Sequence, residues 1–410
     1  MPSEREPRPN TPVPEDTAEK VGDRIELSRL VVSSPVDAIA VAAHLVGFHP
    51  SLSLVVVGIS DQEGVMVMRR DLTPVLQVAD VDASDRSSVE GAESVDECLM
   101  SMLKRNEMSA VLLLGYGPEE LVTPAMNSVL QAAEQAELPV WVALRVDQGR
   151  WWSYTCQDPG RCPPEGTAYD ISTSVIAAQA TLAGQVVLRD RDELIDSVAP
   201  LQGPARTAMQ QATQRAEQRM CERITASGSA TDNTVQVVDE GRRFIAELAD
   251  RVRDGRARLT DDEAAWLGLL LLSVRLRDEA WVRIDVDHLH QHIAFWRDMT
   301  RRVQEPYAAA PASLLAYAAF ASGDGGLANV ALDRAEAADP SYAMAHLLRD
   351  VIVAGIPPKH VRLNITPEEL ATGYAEQKPT QGHDGPTVHP SSGPPFIRHR
   401  ASLHQRAHPS

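Results

Sequence analysis

The sequence predicts an α/β domain, with a mixed, mostly parallel sheet flanked by helices, followed by an all-helical domain. Two observations carry this. Short apolar runs of strand length alternate with helical segments as far as residue 200, and beyond it strand patterns cease and apolar residues recur at helical spacing. Both ends, residues 1–23 and 361–410, are proline-rich and polar without periodicity, so they read as disordered tails. The expected division is therefore 24–200 for the α/β domain and 201–360 for the helical one.

IELSRLVV opens the folded part as a strand, and SSPVDAIAVAAHLVGFHP follows as a helix. Ser34 caps it, Pro35 suits its first position, Asp37 complements the positive end, and Gly47 with Pro50 supplies the stop. SLVVVGI reads as a buried strand and GVMVMRR as its hairpin partner across SDQE. After a helix near Ala92 to Lys104 come the strand AVLLLGYG, the helix PEELVTPAMNSVLQAAEQA and the strand PVWVALRV, a strand–helix–strand unit that returns parallel. Asp147-Gln148-Gly149 then turns the chain into GRWWSYTC, a second hairpin, for a sheet of roughly five or six strands.

In the helical part, GPARTAMQQATQRAEQRMCERI, VQVVDEGRRFIAELADRV and DDEAAWLGLLLLSVRL carry helical apolar spacing. Thr260 and Glu263 form a capping box before the third. The run from Pro311 to Pro358 repeats a helix–turn–helix rhythm, with Gly323 and Gly355 as stops and Ala328, Ala331, Ala335 and Ala345 allowing close helix approach. ANVALDRAEAADPSYAMAH resembles a tetratricopeptide repeat, although only about one and a half units are present, so the preceding helices must complete the core.

Composition narrows the function. A net charge of −18 over 410 residues, with no basic block in the body of the chain, argues against a nucleic-acid partner, which needs clustered cations. The N-terminus lacks a secretory apolar core, and AAWLGLLLLSV is too short to span a bilayer, so a cytoplasmic protein without membrane contact is expected. Cys98, Cys156, Cys162 and Cys221 do not make a disulfide framework, and a reducing compartment keeps them as thiols.

SSPVDAIAVAAHLVGFHPSLSLVVVG, RWWSYTCQDPGRCPPEGTAYD, RDEAW at 277–281 and the run from Pro311 to Pro358 together resemble the uncharacterised actinobacterial family of domain of unknown function 4192. The resemblance spans about residues 25–358 and implies no activity. The chain departs from the family's pattern at Arg161-Cys162, where adjacent cysteines are common, and at Ser51, where an acidic residue often follows His-Pro.

Each candidate site has a plainer reading beside it. GYGPEE sits where a dinucleotide-binding turn would, but it lacks the third glycine. Glu119 and Glu120 already complement the helix dipole, so a tight turn before a helix is preferred. If the strands at 53–59, 111–116 and 139–146 run parallel, His49, Arg70, Asp71 and Cys156 meet at the amino edge of the sheet. A thiol activated by histidine could then serve a hydrolase or transferase. The structural alternative has His49 closing a helix, and Cys156 and Cys162 buried under a proline-rich turn. Cys-x5-Cys offers two ligands where structural zinc takes four, and neither a metal nor a cofactor is expected.

Trp151 and Trp152 must face opposite sides of a strand. One enters the core, while the other, near Tyr154, stacks on a ligand or covers a helix; with Cys162 these are the ligand-binding candidates. Asp285, His288 and His292 share a helix face beside Leu289, Ile293 and Trp296 and read as a solvated flank, and Asp80, Asp82 and Asp85 as a surface loop. With no complete catalytic set, the expected function is that of a protein-binding or scaffold protein using its helical domain.

Overall fold

The computed structural model describes residues 32, 34–60, 64–72, 95–156, 158–182, 187–225 and 230–376. Most of the strand expected at 25–32, most of the SDQE turn, the loop of Asp80, Asp82 and Asp85 and the N-terminal tail lie outside the described residues, as do residues 377–410.

Helix α1 (Pro35–Val46) starts as its residues dictate. The Ser34 hydroxyl accepts from the Asp37 amide at 3.1 Å, and Gly47, at φ 87°, returns its N–H to the Ala43 carbonyl. Strands β1 (Ser53–Ser60) and β2 (Gly64–Asp71) pair antiparallel. Helix α2 (Val95–Arg105) then leads into β3 (Ala110–Tyr116), α3 (Glu119–Gln135) and β4 (Val140–Asp147), and β3 and β4 are parallel. Strands β5 (Arg150–Ser153) and β6 (Thr167–Ala168) complete one sheet in the order β2-β1-β3-β4-β5-β6.

The sheet is mixed and flanked by helices as expected, but β3–β4 is its one parallel pair and β1 runs against β3. The path of α2 explains this. Asp96 in its first turn bonds Arg70 at the end of β2, while Ser109, just beyond it, donates its amide to the Ile59 carbonyl at the end of β1. The crossover therefore runs from β2, and it is β2 that shares a direction with β3, with β1 slotted between them.

One face of the sheet, with Leu54, Val56, Leu113 and Ala143, is covered by α2 and α3 through Met100, Leu103, Val122 and Met126. The other face, with Val55, Val57, Leu112, Leu114 and Val146, joins a continuous apolar core that runs through α1 into the helical part. That part comprises α4 (Val175–Leu182), α5 (Arg191–Asp196), α6 (Gly203–Thr225), α7 (Ala230–Arg253), α8 (Asp261–Leu270), α9 (Val274–Trp281), α10 (Leu289–Arg302), α11 (Ala309–Ala321), α12 (Gly325–Ala338), α13 (Ala343–Val353) and α14 (Pro367–Glu376).

The Thr260–Glu263 capping box forms as expected. Helix α11 is buried from Ala309 to Phe320, and α12 and α13 follow it through short turns at 322–324 and 339–342. Helix α12 packs so closely on the end of α1 that a Cβ on Gly326 would lie 2.4 Å from the Val46 carbonyl oxygen. Among the described residues no helix is long and apolar enough to cross a membrane.

Residues 361–376, expected to belong to a tail, include a helix. Thr366 and Glu369 exchange backbone and side-chain bonds of 2.8 and 3.2 Å to open α14, Leu370 is buried, and the Tyr374 hydroxyl donates to Asp278 at 2.6 Å. A helix held by one leucine and one tyrosine leaves no periodic trace.

Candidate functional site

Strand register decides which candidates meet. Ser53 pairs with Asp71 and with Tyr116, so His49, Arg70 and Asp71 do share an edge, but it is the edge where β3 and β4 end. Cys156 follows β5, whose Ser153 pairs with Leu144, so the chain there heads toward the other edge. β1 and β5 are also separated by three strand spacings, about 14 Å, far beyond hydrogen-bond reach. The shared rim does not form, and His49 cannot act as a base for Cys156. Arg70 instead bonds Asp96 at 2.9 Å, and Asp96 also accepts from Ser128 at 2.6 Å, which ties β2 to α2 and α3. Asp71 pairs with Arg69.

The turn after β3 is packed by its neighbours. Leu52 lies against Gly117, and Glu119 faces Arg145 at 3.6 Å. Arg145 is buried and stacks its guanidinium 3.6 Å from the Trp152 ring centroid. Trp152 in turn donates Nε1–H to the Pro164 carbonyl at 2.9 Å, and the Tyr154 hydroxyl bonds Thr123 of α3 at 2.7 Å. Trp151 points the other way, into the sheet–helix core. The two tryptophans face opposite sides as the strand requires, and Trp152 covers an arginine.

Gly166, at φ 76°, lies under that ring, and a Cβ there would come within 2.4 Å of it. Gly166→Ala is therefore expected to displace Trp152 from Arg145 and cost about 2 kcal/mol. Urea unfolding together with near-ultraviolet circular dichroism checks this, and unchanged curves would refute the stacking role.

Sequence reasoning did not single out the arginines of the helical part. Asp239, Arg242, Arg243 and Ala246 fall on one face of α7 at helical spacing, opposite Glu279 of α9 and Arg283 just after it. They border an open cleft of about 330 Å³. Glu279, 1% exposed, accepts from Arg242 at 3.1 Å and from Arg283 at 2.6 Å, which holds both guanidinium groups at the cleft wall. Arg243 is exposed, and among the described residues it makes no ion pair, only a 3.4 Å bond to its own helix's Asp239 carbonyl. In a chain of net charge −18, three arginines against two carboxylates make this cleft locally cationic.

A family model described as Domain of unknown function (DUF4192) matches residues 35–359. The chain belongs to the DUF4192 family. No curated protein and no solved structure matches it. The matched span of this DUF4192 chain runs from α1 past α13, so it takes in the sheet, the tryptophan–cysteine loop and the arginine cleft.

The RDEAW segment becomes intelligible in the folded DUF4192 chain. Arg277, Asp278 and Glu279 are all buried on α9. Asp278 accepts from Arg277 at 3.0 and 2.6 Å and from Tyr374 at 2.6 Å, while Glu279 organises the cleft. Three consecutive charges between Leu276 and Ala280-Trp281 were the available signal, since buried charges must be paired.

His292 departs from expectation. It is 3% exposed rather than solvated, and its Nε2 accepts the Asp285 amide at 3.1 Å, while His288 Nδ1 bonds the Asp285 carboxylate at 2.9 Å. Burial first, partly opposed by the charge of Asp285, lowers its pKa to about 4. These three residues do come together, as a cluster around the turn entering α10. Among the described residues no group of three or more histidine, cysteine or acidic side chains is placed to hold a metal ion.

Proposed function

We propose that this chain is a protein-binding scaffold whose helical region holds an acidic segment of its partner in the cleft of Arg242, Arg243 and Arg283. The observation that carries this is Arg243, an exposed cation that among the described residues makes no close ion pair, only a longer-range attraction to Glu240 of its own helix, beside two guanidinium groups already fixed by buried Glu279. Guanidinium groups bind carboxylates in paired hydrogen bonds, and prior fixation lowers the entropy cost of doing so. The tetratricopeptide-like stack of α11, α12 and α13 serves as the rigid frame on which the cleft-bearing helices rest. On this reading the protein works in the cytoplasm, where its four free cysteines suit a reducing setting.

The test is capture from native lysate on immobilised full-length chain, quantified by mass spectrometry against an Arg243→Glu variant. Loss of about tenfold in the recovered partner is expected, equivalent to about 1.4 kcal/mol. Equal recovery on both surfaces would remove the cleft from the reading. Arg243 is exposed, so the variant is expected to keep the fold, which its unfolding curve verifies.

A further inference from the structure

We propose that Cys156 and Cys162 form a reversible disulfide on exposure to a peroxide, making the loop between β5 and β6 a redox-responsive modification site. The fold brings the two residues to one carbonyl. Asp158 O lies 4.0 Å from Cys156 Sγ and accepts the Cys162 amide at 2.8 Å. The intervening turn is already closed, because the Arg161 amide donates to the same carbonyl at 3.1 Å and the Gly160 amide to Asp158 Oδ1 at 2.9 Å. Each thiol also lies within the electrostatic reach of the other. A disulfide needs its two residues near each other, and a turn that already joins both to one carbonyl brings them together without unfolding any element.

The limbs of the loop are held independently of the thiols. On one side the Ser153 hydroxyl accepts the Cys156 amide at 3.1 Å. On the other, Trp152 and Arg150 bond the Pro164 and Gly166 carbonyls at 2.9 and 2.8 Å. Both cysteines are half-buried, within reach of a small oxidant, whereas Cys98 on α2 and Cys221 on α6 are exposed and stand alone on separate helices. The pair differs from them by having a second sulfur in place.

The order of events follows from the protons. The neighbouring Cys156 thiol, reinforced by burial, pushes the Cys162 thiol up to about 11, so Cys162 retains its proton and takes the resolving role. The Cys156 thiolate attacks hydrogen peroxide, an S–O bond forms, the O–O bond breaks, and hydroxide leaves. Cys162 then attacks the sulfenic sulfur: the S–S bond forms, the S–O bond breaks, and the departing hydroxyl takes the Cys162 proton as water. Two thiols and one peroxide give one disulfide and two waters, and a dithiol reductant reverses the change by exchange.

The experiment uses reduced full-length protein treated with graded hydrogen peroxide, then alkylated and mapped by mass spectrometry. The expected product is the Cys156–Cys162 linkage, formed while Cys98 and Cys221 remain alkylatable and reversed by dithiothreitol. In Cys162→Ser, the sulfenic acid should persist on Cys156 and be trapped by dimedone. Oxidation of Cys156 and Cys162 no faster than of Cys98 and Cys221 would overturn the proposal. So would sulfinic acid or intermolecular dimers in place of the internal linkage. The wild-type mapping stands by itself should the serine variant fail to fold.

Discussion

Replacing Asp278 with alanine is expected to lower the unfolding free energy by about 4 kcal/mol, because it strips a buried arginine of its counter-charge. Arg277 is 6% exposed and Asp278 1%, so water cannot take over the lost interaction. The same carboxylate accepts the Tyr374 hydroxyl, and its removal also releases the outermost helix, α14. Asp278→Asn keeps one acceptor oxygen, for Arg277 or for Tyr374 but not for both, and loses the charge, so it should recover only part of the loss. Urea unfolding of the full chain measures all three proteins. A loss below about 1 kcal/mol in the alanine variant would mean that the pair contributes little more than an exposed one.

Acidification is expected to remove up to about 3 kcal/mol through His292 alone. Its pKa is about 4 in the folded protein against an ordinary 6.5, with burial as the main cause. Between those values the unfolded chain takes up a proton that the folded chain refuses. The stability is therefore complete above pH 6.5 and declines as the pH falls toward 4. His292→Gln retains an acceptor for the Asp285 amide but cannot titrate. The difference in unfolding free energy between pH 7 and pH 4.5 should thus be smaller in the variant by most of that amount. Parallel pH profiles would show that another group carries the decline.

Much of the fold was legible because its signals are local. Ser34, Pro35 and Gly47 bound α1, and Thr260 with Glu263 opens α8, since capping involves residues three or four apart. Trp151 and Trp152 were bound to face apart by strand geometry alone. The site was far less legible. Arg242, Arg243 and Arg283 look like ordinary helix charges until α7 and α9 are placed side by side. Burial of His292 depends on neighbours such as Ile245 and Phe295 that lie on other turns and helices.

The sequence by itself determined most of the elements, their order and that a sheet-bearing part precedes a helical one, because caps, turns and apolar periodicity act within a few residues. Only tertiary structure decided that β2 rather than β1 feeds the crossover, and so parted His49 from Cys156 while gathering the arginines around Glu279. Pairing direction depends on which edge a helix returns to. That is settled by where its apolar face finds a partner across the sheet, a contact between residues far apart in the chain.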